Sequence, residues 1–453
     1  MESSSAMSWA LTLPEILNNI FDQLENDSRA LAAASLVNQA WFSSATDVLW
    51  KMATWENLLQ VPEDRQQIYA AKMTTLSFAG DNAATCHARF QHLQFSSLKS
   101  VSLDAYRPQE GGSLYHIRQY LQPPLERFAF YGGDLDEELL DHLRQSCWRL
   151  QQILIDSPGP KITEEFFSRF IAEYTSLRDV RFMFGMDHLI SDELLLRLAN
   201  RDALSGLAIG RQLSQGLLDR ILADASSTPF KELKSLVMNT TAAAVPALVK
   251  VFAHISSLEL DVQDGDGSVV KHLCHSLPGL KRLGLSFSAP TKLAVDDLLS
   301  LKALSRLEFL AIGPNEMVES ATVDCLDSGF SDADFDDVFA QLPCLRMLDF
   351  TVQSSLSAAA AFLSLSKHCR MLEECILPLV FDLETLKSGT VMFPKLRELG
   401  VGGFEPISIP SDNDGDSADG TIDLLRRQLP NLRSVYVNSD DDFSNFIANS
   451  FSE

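Results

Sequence analysis

An α/β fold is what this sequence predicts: a small N-terminal module of three helices, then a right-handed β–α solenoid of about 14 repeats bent into a horseshoe. Three observations carry the prediction. A short pattern, apolar-x-x-apolar-x-apolar, recurs along most of the 453 residues. Helix-like segments such as DEELLDHLRQSC (136–147) and SDELLLRLAN (191–200) fall between its copies. The N-terminal stretch holds three short apolar helices that stand outside the period.

Residues 1–10, MESSSAMSWA, have neither a basic nor an apolar run, so they are expected to be flexible and to form no signal peptide. Residues 11–52 form the module. Pro14 suits the first turn of a helix, where its missing N–H costs nothing, and Glu15 complements the dipole there. Ile16, Leu17, Ile20, Phe21 and Leu24 then share one face at helical spacing. Asp27 or Ser28 caps a second helix over Arg29–Asn38, with Leu31, Ala34, Leu36 and Val37 apolar. Trp41, Phe42, Ala45, Leu49 and Trp50 mark the third. Three helices in about 40 residues make a core too small to stand alone, so the aromatic side chains imply a partner surface. A connecting helix is expected over 53–70.

From 71 to 438 the chain repeats. KMTTLSF opens the series at Met73; SLKSVSL, PLERFAF, RLQQILI and SLRDVRF follow from Leu98, Leu125, Leu150 and Leu177. ALSGLAI, ELKSLVM, HISSLEL, GLKRLGL and RLEFLAI continue from Leu204, Leu233, Ile255, Leu280 and Leu307. CLRMLDF, MLEECIL, KLRELGV and NLRSVYV close it, from Leu345, Leu372, Leu396 and Leu432. Met73 to Leu432 spans 359 residues in 13 steps, a mean period of about 27.6. So short a strand followed by a helix cannot bury its own apolar face, but stacked in parallel on copies of itself it can. A doubly wound sheet also alternates strand and helix, yet has no reason to keep one spacing throughout.

Two steps are overlong. Residues 314–337, PNEMVESATVDCLDSGFSDADFDD, carry eight acids and no base, and 405–423 are similarly acidic. Both read as loops inserted at the solenoid's edge, the first able to attract a basic partner. Residues 439–453 read as an acidic tail.

Composition narrows the function. A net charge of −24 without a basic stripe argues against nucleic acid or an anionic membrane as partner. Apolar runs such as Ala358 to Leu363 are too short to span a bilayer. Seven cysteines without a CxxC pair suit a reducing compartment, so a cytoplasmic or nuclear location is expected. DNDGDSADGTID (412–423) looks like a calcium loop, but Ser417 stands where a turn-permitting Gly is needed and Asp423 where a bidentate Glu is. His368, Cys369 and Cys375 lack a fourth metal ligand. With no Gly-rich phosphate loop and no GxSxG, neither catalysis nor a cofactor is expected, and no homo-oligomer is called for.

The repeat resembles leucine-rich repeats of the longer, helix-containing kind. In that geometry the first, fourth and sixth residues of each copy point inward, and the third, fifth and seventh face the concave side. The resemblance puts Arg127, Tyr131, Asp156, Arg181 and Met183 on that side as candidate target-binding residues, and Arg, Tyr and Met beside acids have the composition of an interface hot spot. Gly206, Ala208 and Gly210, and later Phe309, Ala311 and Gly313, would make shallow floors. Cys147 and Cys369 stand three residues before a repeat Leu, a packing position in this family.

The run LPEILNNIFDQL…SLVNQAW…ATDVLWK, residues 13–51, resembles the F-box, with its LP opening, its LV-x-x-x-W and its closing LW. One departure is visible: Glu15 follows Pro14 directly, where many members have a residue between. A plain helical cap on the solenoid would not demand this order. An F-box followed by leucine-rich repeats is a familiar pairing, in fungi among others. The resemblance implies that Leu13, Pro14, Ile16, Leu17, Ile20, Val37 and Trp41 face a Skp-type adaptor. Leu31, Leu36, Leu49 and Trp50 serve equally well as the module's own core, and the sequence does not divide the two sets. It further implies a non-catalytic substrate-recognition subunit of an SCF-type, cullin–RING E3 ubiquitin ligase, the repeats holding a target protein for ubiquitin-dependent degradation. A scaffold that binds the adaptor without ubiquitination is one alternative. A ligand-sensing receptor with a small molecule on its concave floor is the other.

Overall fold

Each copy of the seven-residue pattern forms one strand, and the apolar positions explain why. In the first thirteen copies the first, fourth and sixth residues are all at 4% exposure or less, so the apolar positions fall on the side that the alternation of a strand turns inward. Each such side chain contributes about 1.5–3 kcal/mol by leaving water. The computed structural model describes residues 13–79, 83–106, 114–224, 228–326, 329–383, 392–405 and 414–451. These form two compact units that divide between Leu198 and Ala199.

The first unit opens with α1 (Pro14–Asp22), α2 (Ser28–Ala34) and α3 (Gln39–Lys51), followed by α4 (Trp55–Leu59) and α5 (Glu63–Ala70). Its strands are β1 (Thr75–Phe78), β2 (Ser100–Tyr106), β3 (Arg127–Gly133), β4 (Gln152–Asp156) and β5 (Asp179–Phe182), with α6 (Ala83–Arg89), α7 (Glu137–Ser146) and α8 (Glu164–Glu173) between them and α9 (Asp192–Ala199) after. All pair in parallel and in chain order. The fourth positions meet across the ladder: Leu76 opposite Val101, then Phe128, Ile153 and Val180. A slip of one residue would turn every one of them to solvent, so the spacing fixes the register. Helices start where the sequence supplies caps. Asp136 accepts from Leu139 N at 2.8 Å, and Thr163 accepts from Phe166 N at 3.3 Å.

The second unit repeats the scheme. Its main sheet runs β6 (Gly206–Ile209), β7 (Ser235–Thr240), β8 (Ser257–Val262), β9 (Arg282–Phe287), β11 (Phe309–Pro314), β13 (Met347–Phe350), β14 (Glu374–Asp382), β15 (Glu398–Glu405) and β16 (Ser434–Val437). Again every pairing is parallel, and the fourth positions stay in line from Leu207 to Val435. Its helices are α10 (Gln215–Asp224), α11 (Val245–Val251), α12 (Val269–Ser276), α13 (Val295–Leu299), α14 (Asp332–Phe339), α15 (Ala358–His368), α16 (Asp414–Gln428) and α17 (Asp442–Asn449). Both units are thus α/β solenoids of β–α repeats.

Several segments differ from expectation. The single connecting helix over 53–70 is two helices, α4 and α5, broken at Pro62, whose fixed φ and missing N–H end the first. The insertion 314–337 is not a free loop. Its β12 (Val323–Asp324) pairs with β10 (Thr291–Lys292) in a small second sheet, and its C-terminal end enters α14. There Ser331 and Asp334 make a capping box, Asp332 accepts from Ser357 N at 2.9 Å, Asp336 meets His368 at 3.0 Å, and Asp337 pairs with Lys302. Half of the eight acids therefore work inside the fold. In the second insertion, α16 begins at Asp414, so that stretch too is ordered structure; Asp412 and residues 406–411 lie outside the described residues, as do residues 1–10. The acidic tail folds as α17, with Ile447 buried and Ser444 accepting from Phe404 N at 2.9 Å. An apolar pair spaced at 447 and 451 outweighs the neighbouring charges.

One buried titratable group is notable in the first unit. His87 is 2% exposed, its Nδ1 lies 3.1 Å from the Tyr120 hydroxyl, and Phe78, Tyr106 and Tyr120 ring it. Burial, helped by His116, lowers its pKa to about 4. His368, by contrast, bonds to Asp336 and not to a metal-like set with Cys369 and Cys375. Cys147 and Cys369 are buried with their thiols pushed up to about 12, as packing residues are.

Candidate functional site

The three N-terminal helices close on a small core of Leu17, Phe21, Leu31, Ala34, Ala45 and Val48, with Leu24, Ala40, Trp41 and Leu49 packed on its margin. Phe21 and Trp41 meet edge to face at 5.4 Å. The module is fastened to the first strand by polar contacts. Thr74 donates to Lys51 O through both N and Oγ1, at 3.1 and 2.8 Å. Lys72 reaches Ser43 O, Thr46 Oγ1 and Asp47 at 3.0, 2.7 and 2.6 Å. Trp50 stacks on Tyr69 at 4.4 Å, which places it between module and α5.

What the core leaves out is a set of large apolar side chains. Ile16 and Ile20 on α1 are 37% and 40% exposed, while Leu36 and Val37 in the joint after α2 are 86% and 57% exposed. Pro14 is exposed and Leu13 half-buried beside them. Of the residues expected to face an adaptor, Leu13, Pro14, Ile16, Ile20 and Val37 are accessible, and Trp41 is half-buried against Phe21. Leu17 is not accessible. It is fully buried, because with Phe21, four residues on, it forms the strip of α1 that enters the core with Leu31 and Val48, while Ile16 and Ile20 lie on the outer edge of the same apolar face.

Leu36 moves the other way, from a residue equally suited to the core to the most exposed apolar side chain of the module. The reason is local. The second helix was expected to run to Asn38 but stops at Ala34, since Asn38 is engaged as N-cap of α3, its Oδ1 accepting from Trp41 N at 3.0 Å. That cap was visible in the sequence as an Asn directly before the third apolar run, and it strands Leu36 and Val37 between helices.

A second candidate lies on the open strand face of the first unit. Arg127, Tyr131, Gln152, Leu154, Asp179 and Arg181 line an open depression of about 340 Å³. Three of the five predicted target-binding residues, Arg127, Tyr131 and Arg181, thus come together. Arg127 is hydrogen-bonded to Gln152, and Arg181 meets both oxygens of Asp179 at 3.1 and 3.2 Å. Asp156 is not a surface acid. It is buried, and its Oδ1 accepts from Met183 N and Phe184 N at 2.8 and 3.0 Å, tying the end of β4 to the exit of β5. Met183 is half-buried, held there by that bond. Exposed Phe184 and Trp148 escaped the pattern because they lie just outside the strand, one past the seventh position and one in the preceding turn. Of the expected floors, Gly206 and Ala208 are buried, and Phe309 is covered by the Arg282 guanidinium, 3.9 Å from its ring centre.

No protein-family model matches this chain, and no curated protein does. Among solved structures, that described as the crystal structure of the Rad7 and Elc1 complex in yeast is similar over 87% of this chain and 88% of that one, at 13% identity and a TM-score of 0.49. At that identity and score the likeness says nothing of function.

Proposed function

We propose that this chain is a non-catalytic substrate receptor of an SCF-type ubiquitin ligase, acting in the cytoplasm or nucleus. The exposed apolar face of the N-terminal helices would dock a Skp-type adaptor, and the β–α repeats would hold a target protein. One observation carries the reading: Pro14, Ile16, Ile20, Leu36 and Val37 stay exposed while the module's core closes on other residues. Large apolar side chains crowded on so small a unit mark a protein interface. They lie within the residues whose order of LP, LVNQAW and LW resembles the F-box. The chain itself breaks no bond; its contribution is proximity, raising the effective concentration of the target's lysines beside a charged E2 enzyme.

Co-purification tests the proposal. The full chain, expressed with a Skp-type adaptor and a cullin, should retain both. Retention of the adaptor alone would replace the ligase reading with that of a scaffold, and retention of neither would end both.

A further inference from the structure

The open strand face of the first unit gathers cations that the sequence scatters. Lys99, Arg127 and Arg181 are separated by one and two repeats in the chain, and parallel stacking brings them to one side of the sheet. Lys51 joins them because Thr74, at the foot of β1, binds its carbonyl. Beside the depression of about 340 Å³ already described lies a second one, of about 310 Å³, that shares Arg127 and Gln152 with it. Lys51, Thr75, Lys99, Ser100 and Glu126 contribute to its lining.

Two of the four cations are already matched, Lys99 by Glu126 at 3.4 Å and Arg181 by Asp179. The other two are not. Among the described residues no ion pair joins Lys51 or Arg127. Arg127 donates through Nε to Gln152, and its terminal nitrogens make no hydrogen bond. The hydroxyls of Thr75 and Ser100, half-buried on the strands that lead from Lys51 to Arg127, make none either. In a chain of net charge −24 there are acids enough to pair every base, so two unmatched cations lining one depression, with idle hydroxyl donors between them, describe a place for an anion.

We propose that this face binds an extended segment of the target protein that carries two acidic residues three positions apart. One carboxylate would take the free end of the Arg127 guanidinium, with the Ser100 hydroxyl donating to it, and the other would meet Lys51 beside Thr75. The spacing follows from the sheet. Lys51 is fastened at β1 and Arg127 stands on β3, two intervals of about 4.8 Å away, and an extended occupant crossing the strands at about 3.3 Å per residue covers that distance in three residues. Carboxylates suit the site better than phosphates, because Glu126 and Asp179 remain in the lining and oppose a second negative charge on the same group. Beyond Arg127, half-buried Leu154 and exposed Tyr131 offer an apolar contact to the next side chain. This inference deepens the receptor reading and rests on it for the occupant being a target; its chemistry rests on the two depressions alone.

The test is panning of a phage-displayed library of random peptides against the full-length chain at physiological salt. Enriched peptides should share two Asp or Glu residues three positions apart. A synthetic peptide of the enriched sequence should bind about tenfold more weakly to Arg127→Gln and to Lys51→Gln, the loss of one good charge contact each. It should bind within twofold to Lys161→Gln, which removes a cation outside both depressions. An unchanged melting temperature confirms that the variants fold. No enrichment, enrichment without paired acids, binding within twofold on Arg127→Gln, an equal loss on Lys161→Gln, or tighter binding when phosphoserine replaces the acids would each overturn the inference. Adaptor capture is measured on the same proteins. A chain that holds the adaptor but selects no such peptides keeps the receptor reading and loses this one; a chain that selects them without holding the adaptor does the reverse.

Discussion

Leu36→Ala separates a docking face from a folding core more cleanly than any other change in this chain. Leu36 is 86% exposed, so truncating it removes almost no packing from the free protein, and the melting temperature should stay where it is. Docked against an adaptor, the same side chain would lose its water, and the removed methyl groups would cost about 2 kcal/mol of binding. That is about 30-fold in Kd. Leu17→Ala is the control with the opposite signature: fully buried among Phe21, Leu31 and Val48, it should lower stability by about 2–5 kcal/mol. Calorimetric or interferometric titration of purified chain with a Skp-type adaptor reads the first quantity, and thermal melting the second. A Leu36→Ala protein that binds the adaptor within twofold of the parent, or that melts several degrees lower, would show the reasoning about this face to be mistaken.

Acid should weaken the first unit through His87. Its folded-state pKa is lowered to about 4 from an unfolded value near 6.5, so the unfolded chain takes up the proton first. The stability this gives is present above about pH 6.5 and is lost as pH falls towards 4, a change of about 3 kcal/mol that His87→Phe should flatten in denaturant midpoints measured across that range. Asp156→Ala should cost about 1–3 kcal/mol in thermal or chemical melts, by leaving Met183 N and Phe184 N without their acceptor. Equal stability of the two proteins would mean that water replaces the carboxylate there. Ser331→Ala should cost about 1 kcal/mol through the lost cap of α14. By contrast, neutralising Glu316 and Glu319 in the same insertion should leave melting unchanged.

The repeats were legible because a strand has a period of two, and a solenoid stacks that period in fixed register. Leu, Val, Ile or Phe at the fourth position of successive copies could not fall elsewhere without exposing all of them. Cys375 at the fourth position of MLEECIL is as buried as its leucine counterparts, so even the weak copy obeys. The module was less legible. Its helices are short, and the exposure of Leu36 turns on one Asn38 side chain that caps the third helix and so keeps the second from running on. Asp156 departs from its expected exposure for a related reason: strand alternation says which face a residue is on, not whether the following turn bends back to cover it. The acids of 314–337 and of the C-terminal segment looked like solvated charge because composition does not reveal caps. Asp332, Asp334, Asp336 and Asp337 find partners on α14, on α15 or on the preceding helical turn, which are remote in sequence or hidden in the capping geometry.

The bond from Phe404 N to Ser444 Oγ joins α17 to β15, passing over the intervening final strand. In a nearest-neighbour stack the last member is held on one flank only, and here Leu432 and Val437 are half-open where the same positions in earlier copies are sealed. The terminal helix therefore acts as a clasp spanning two rungs. Proteolytic removal of everything after Asn438 would loosen β15 together with β16, so that this end of the sheet would fray two strands deep rather than one.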